Sequence, residues 1–247
     1  MAELFDEPWK WVVFFCCTFL TGIAKSGIQG VGSLTIPIYA LLFGAKASTG
    51  IILPSILVAD IMSAWLNRHH IHFTYILHLI PWAAAGLILA LFTGKNMPSV
   101  QFGKLMAACI LAGLIVMTVM QHHTFTHRQK KWLRPLFGIL AGFSALIGNA
   151  AGPVVSVYLL TMRLPKYAFV TTSIWFIFIM NVVKLPIQIF VWENIPPTSF
   201  LLALFAIPCI LLGAFTGKSI IRILPEKGFR IIITILVIIS TLLMIIR

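Results

Sequence analysis

"GIAKSGIQGVGSLTIP", residues 22–37, lies between two apolar runs, "WVVFFCCTFLT" (11–21) and "IYALLF" (38–43). It places four glycines, Gln29 and Lys25 where hydrocarbon continues on both sides. Gly27, Gly30 and Gly32 permit backbone conformations closed to other residues and let a ligand approach the main chain. The reading is a backbone that breaks inside a membrane. "SLTIP" (33–37) then starts a short second helix whose free N–H groups point at the break.

The bulk of the chain agrees with a membrane setting. It is 60% hydrophobic and 10% charged, with a mean hydropathy of +1.02, where soluble domains carry about 25% charged residues. Several runs of about twenty residues are apolar all round, which marks bilayer spans rather than amphipathic surface helices. The length allows roughly eight to ten crossings and no sizeable aqueous domain. The net charge of +12 does not point to nucleic acid. The basic residues cluster in short loops, where lipid headgroups and the positive-inside bias account for them. "MAELFDEPWK" lacks the basic start of a cleaved signal, so the first apolar run is expected to be retained. Cys16, Cys17, Cys109 and Cys209 all fall in apolar runs and read as buried small hydrophobes, with neither disulfide nor metal spacing.

Two copies of one design follow each other. The first has a broken pair (about 9–24 and 34–44) and runs near 47–66, 74–92 and 100–120. The second has a broken pair near 135–147 and 153–161, then runs near 166–191, 198–215 and 228–246. "FTGK" at Phe92–Lys95 recurs at Phe215–Lys218, and the Pro98 and Phe102 pair recurs as Pro225 and Phe229. Self-similarity of this kind predicts duplication, with repeats at 1–121 and 135–247 and a basic connecting loop at 122–134. Each half of a broken pair is about 10 to 16 residues, or roughly 15 to 24 Å, against a hydrocarbon core of about 30 Å. A pair can therefore return as a re-entrant hairpin or join into one broken crossing. Lys25 and Lys184 aside, sixteen Lys and Arg remain of eighteen. They divide 11 to 5 across the membrane if the pair returns and 9 to 7 if it crosses. The stronger bias predicts an inverted repeat with both termini outside the cytoplasm.

Ionisable residues inside spans are costly and usually face a cavity or a partner. Lys25, Asp60 and Lys184 are the three. Aligning Ala47 with Ala168 sets Asp60 opposite Asn181, so the halves carry polar groups at matching depth. Two lysines and one aspartate leave a surplus positive charge, which suits an anion. In the second half, Gly148, Asn149 and Gly152 occupy the gap of "SALIGNAAGPVV", and Pro153 suits the first turn of the next helix. Two half-helix N-termini meeting near the midplane make an anion site, the architecture of secondary transporters. The candidate site comprises Lys25, Gln29, Gly30, Gly32, Ser33, Gly148, Asn149, Gly152, Thr171, Thr172, Ser173, Asn181 and Lys184. Asp60 is the candidate for proton coupling, or else for neutralising a lysine when the site is empty. The histidine clusters "RHHIHF" (His69, His70, His72) and "QHHTFTH" (His122, His123, His127) read as solvated loop residues, not metal ligands.

The broken motifs "GIQGVGSLTIP" and "AGFSALIGNAAGPVVSVYLL", the series from Thr171 to Lys184 and the paired "FTGK" turns together resemble the sulfite exporter TauE/SafE family, a group of bacterial permeases. The resemblance runs over nearly the whole chain. It implies transport of small sulfur-containing anions, such as sulfite or sulfonates, without ATP. The expectation is thus an all-α polytopic membrane protein of two inverted five-segment repeats, each beginning with a broken or re-entrant helix pair. It would sit in the bacterial cytoplasmic membrane and move a small oxyanion by alternating access, coupled to an ion. It is not read as an enzyme, and neither cofactor nor metal is called for. The partners are a small anionic solute and the lipid bilayer, with no nucleic acid and a homodimer left open. The alternatives are a passive anion channel, an intramembrane redox enzyme or a non-transporting scaffold.

Overall fold

A computed structural model describes residues 7–26, 29–68, 71–120, 127–162 and 164–223. All the elements among them are helical. The first half contains α1 (Pro8–Lys25), α2 (Gln29–Phe43), α3 (Ala45–Ile51), α4 (Leu53–Leu66), α5 (Phe73–Lys95) and α6 (Ser99–Met120). The second contains α7 (His127–Gly148), α8 (Ala151–Thr161), α9 (Lys166–Pro186), continued by a π-helical turn (Ile187–Val191), and α10 (Thr198–Ile223).

Local chemistry sets several of these limits. Pro8 opens α1, where its missing N–H costs nothing. Gly44 ends α2 at a φ of 85°, a conformation that favours glycine. From there α3 leaves at 109° to the line of Leu34–Phe43. Pro54 lies in the first turn of α4 and marks a restart after Ile52.

Three helices are long and apolar enough to cross a bilayer among the described residues: Phe73–Lys95, Tyr167–Val191 and Thr198–Gly217. A fourth is added if the bent pair Leu34–Phe43 and Ala45–Ile51 is one span. This is fewer than the roughly eight to ten crossings that chain length allows. The apolar runs are cut into pieces such as Leu53–Leu66 and Leu133–Gly148, each under about 25 Å at 1.5 Å per residue. The last expected run (228–246), with Pro225 and Phe229, lies outside the described residues.

The most extensive packing joins α5 to α7 and α1 to α10. Glycines make both contacts close. A Cβ on Gly86 or Gly142 would collide with the backbone of Ile139 or Ala83, and one on Gly22 or Gly213 with that of Ile210 or Phe19. Small residues of this kind let apolar helices approach to backbone contact. Outside the core, large apolar side chains such as Ile88 and Leu204 are more than half exposed, which suits lipid rather than water.

Three expectations need correction. The "FTGK" motifs are not turns, since Phe92–Lys95 closes α5 and Phe215–Lys218 lies inside α10. The stretch 122–134 is not loop throughout, because α7 begins at His127. Basic residues are good helix formers and continue the helix of the apolar run behind them. Cys17 is buried, but Cys16 is exposed, because neighbours on a helix point about 100° apart.

Candidate functional site

The first break follows Lys25, the last residue of α1. A cation there faces the negative end of the helix dipole. The carbonyl of Lys25 would be orphaned by the helix end, and Ser63 Oγ of α4 donates to it. One turn before Ser63, Asp60 is fully buried and its Oδ1 lies 2.5 Å from Lys25 Nζ. Its Oδ2 accepts a hydrogen bond from Asn181 Nδ2 of α9. Asp60 is therefore held by one ammonium and one amide, the partners a buried carboxylate needs.

The second break is built differently. Gly148 ends α7 and Asn149 follows with a φ of 51°. Asn149 N–H bonds the carbonyl of Ala145 (3.2 Å) and Ala150 N–H bonds that of Ser144 (3.1 Å). The first is the single bond of an αL cap, with Asn149 taking the left-handed position usually given to glycine, and the second ties the chain back one residue further. Lys184, one turn after Asn181 on α9, is fully buried. It donates to Asn149 Oδ1 and to Ala145 O. α8 restarts at Ala151 with Pro153 as its third residue. The first-turn amides of Ala151 and Gly152 therefore have no intrahelical partner.

A cavity of about 70 Å³ lies where the two breaks meet. Lys25, Gly32, Asn149, Gly152 and Asn181 line it among the residues expected from sequence, and Ile36, Ile52, Ile56 and Ile177 form its apolar wall. That volume exceeds the roughly 10–15 Å³ a single water requires and suits a small solute. α2 begins at Gln29, so Gly30, Gly32 and Ser33 lie in its first turns rather than in an unwound gap. The break is earlier, immediately after α1. The side chains of Gln29 and Ser33 lie outside the described residues.

Other expected residues are placed elsewhere. Lys184 stands behind Asn149 and is not among the lining residues. Gly148 packs toward Met106. Thr171, Thr172 and Ser173 are buried but do not line this cavity. Thr172 Oγ1 instead accepts the amide of His72 at 3.1 Å. His69, His70, His122 and His123, and the side chain of His127, lie outside the described residues.

Sequence reasoning missed Thr21 and Thr35, which also line the cavity. Their hydroxyls donate to their own helices, at Cys17 O (2.8 Å) and Gly32 O (2.9 Å), leaving lone pairs for a ligand or water. The available signal was spacing: Thr21 lies four residues before Lys25, on the same helix face. The site combines amide donors, a reachable ammonium and apolar walls. It can desolvate and bind a small anion.

The family model described as sulfite exporter TauE/SafE matches residues 14–244, nearly the whole chain. Neither a curated protein nor a solved structure matches it significantly.

Proposed function

The chain belongs to the sulfite exporter TauE/SafE family, and from that premise we propose that it moves a small sulfur-containing oxyanion by alternating access of two inverted halves. Membership makes it a multi-pass membrane transporter, and the family description implies an anion exporter. The observation that carries the finer reading is the cavity at the two breaks, where Lys25, Asn149, Asn181 and the first turns of α2 and α8 converge.

The proposed halves are residues 1–121 and 135–247. Reciprocal contacts support them, since a two-fold relation makes each contact recur with the partners exchanged. α1 packs on α10 while α7 packs on α5. A Cβ on Gly94 would lie 3.2 Å from Ile147 Cδ1, near the end of α7. One on Gly217, the matching glycine, would lie 3.0 Å from Ile23 Cα, near the end of α1. Asp60 and Asn181, set at equal depth by the alignment, bond one another.

In this reading the empty site stores Lys25 against Asp60. An entering anion competes for the ammonium, and Asp60 then takes the coupling proton. Gln29, Gly30 and Ser33 belong to the α2 side of the site, and the amides of α2 and α8 complete the cage. Thr171, Thr172 and Ser173, buried nearer the start of α9, lie off this cavity. The protein is assigned to the bacterial cytoplasmic membrane with both termini outside the cytoplasm. Uptake of labelled sulfite into proteoliposomes tests the proposal. The wild type should accumulate sulfite when a proton gradient is imposed, and Lys25→Gln should not. Equal uptake by both would overturn the assignment. Flux indifferent to any gradient would instead identify a passive anion channel.

A further inference from the structure

We propose that two seals between α9 and the stretch 46–72 close the central cavity, and that the seal at the end of α9 is the one that opens from this state. This rests on the transport reading above and deepens it.

The bonds between the two segments show how they are laid. Asn194 Nδ2 donates to Lys46 O (3.1 Å) and Gln188 Nε2 to Thr49 Oγ1 (3.3 Å). Asn181 meets Asp60 midway. Trp175 Nε1 donates to Asn67 O (3.2 Å), and the amide of His72 to Thr172 Oγ1 (3.1 Å). Later residues of one segment thus meet earlier residues of the other, so the two run antiparallel past the cavity. The lining residues Ile52, Ile56, Ile177 and Asn181 fall between the two outer groups of bonds along both segments. Each group closes one end.

The two seals differ in how well their polar atoms are satisfied. Thr49 Oγ1 donates its proton to Lys46 O (2.8 Å), so toward the amides it can only accept. Gln188 and Asn194 must both turn their amino groups to it. Their oxygens, Gln188 Oε1 and Asn194 Oδ1, are left buried without a partner among the described residues, as are the hydroxyls of Thr198 and Ser199 just beyond. An orphaned buried atom carries a desolvation penalty with no bond to offset it, and opening to water relieves it. At the other seal no side-chain atom of Asn67, Thr172 or Trp175 is buried without a partner. The Phe73 ring also packs on Trp175 there, at 6.1 Å between centroids.

The backbone agrees. α9 is regular at its start, whereas at its end Pro186 is followed by the π-helical turn Ile187–Val191 and by Glu193 at a φ of 49°. A proline, a π turn and a left-handed residue other than glycine, in succession, mark a place where a helix bends and is held by its surroundings. Gly50 shows how close the contact is, since a Cβ there would collide with the carbonyl oxygen of Asn194.

The test reads solvent access to the cavity. In the full chain with Cys16, Cys17, Cys109 and Cys209 replaced by Ala, Ile56→Cys places one thiol on the cavity wall. A charged, membrane-impermeant thiol reagent is added to one face or the other of sealed vesicles, without sulfite. Glu193→Cys, at an exposed position beyond the π turn, identifies the face on which the end of α9 lies. Ile56→Cys should react roughly tenfold faster from that face than from the other, because the orphaned atoms favour opening there. Gly50→Ala, which wedges Asn194 away, should raise that rate further and leave the rate from the opposite face unchanged. Equal rates from the two faces, a faster rate from the opposite face, no reaction from either, or an unchanged rate in folded Gly50→Ala overturns the proposal. None of these needs transport, so sulfite uptake by the unmodified protein decides the transport reading separately. The expected asymmetry without any sulfite uptake would overturn that reading alone. If Gly50→Ala does not fold, the Ile56→Cys comparison decides, and if Ile56→Cys does not fold, Ile177→Cys on the facing wall takes its place.

Discussion

At the first break the ammonium of Lys25 lies 2.5 Å from a carboxylate, Asp60, whereas at the second Lys184 is held by two neutral oxygens, Asn149 Oδ1 and Ala145 O. The two arrangements share a spacing. Each break residue pairs with the residue 35 positions further on, Lys25 with Asp60 (60 − 25 = 35) and Asn149 with Lys184. The polarity is reversed, with the cation at the break in one half and on the following helix in the other. Lys25 is 16% exposed and lines the cavity, while Lys184 is fully buried behind Asn149. The difference divides the labour we propose. Lys25 can exchange its carboxylate for an incoming anion, and Lys184 acts through the amide that it orients.

The largest effect should come from breaking the charged pair on one side only. Asp60→Leu strands Lys25 and should cost roughly 3–5 kcal/mol of stability. The double change Lys25→Met with Asp60→Leu should recover most of it without restoring transport. Chemical unfolding in micelles, run beside an uptake assay, reads both, and a double variant no more stable than Asp60→Leu would refute the pairing.

The neutral arrangement should break more gently. Lys184→Met leaves Asn149 Oδ1 without its donor, while Ala145 O keeps the amide of Asn149, a loss of roughly 1–3 kcal/mol. Uptake should fall by about tenfold or more as Asn149 loses its orientation, a factor worth about 1.4 kcal/mol. Undiminished uptake in a folded variant would remove Lys184 from the site.

Asn149 separates backbone from side chain. Asn149→Ala places an ordinary side chain at positive φ and should be about 1 kcal/mol less stable than Asn149→Gly. Both lose the amide donor, so their uptake should be equally low. A transport difference between them, with equal thermal stability, would reverse the assignment.

The smallest effect is expected at Thr172→Val. Its hydroxyl already accepts from His72, so the loss should be about 1 kcal/mol of stability with uptake close to wild type. A collapse of uptake would bring the hydroxyl series back into the binding site.

Much of this site was legible because charge inside apolar sequence is rare and demands a partner. Lys25, Asp60 and Lys184 were found in that way, and the two polar groups that the alignment set at matching depth, Asp60 and Asn181, bond one another. The glycine stretch was less readable. Glycine permits an unwound backbone without requiring it, and α2 takes up Gly30 and Gly32 as helix. The hydroxyl series shared a helix with Asn181, yet Thr172 is nine residues away, about 13 Å along the axis. Thr21 and Thr35 were passed over because a hydroxyl bonded to its own helix leaves no pattern in composition.

The sequence by itself determined that this chain lives in a membrane, that two of its helix pairs are interrupted, and which charged groups fall inside apolar runs. Those are properties of composition and local spacing, acting over a few residues at a time. Only the tertiary structure decided that the carboxylate goes to Lys25 and the orienting amide to Lys184. Hydrogen bonds and buried ion pairs act over a few ångströms between segments far apart in the chain, and packing alone sets those distances.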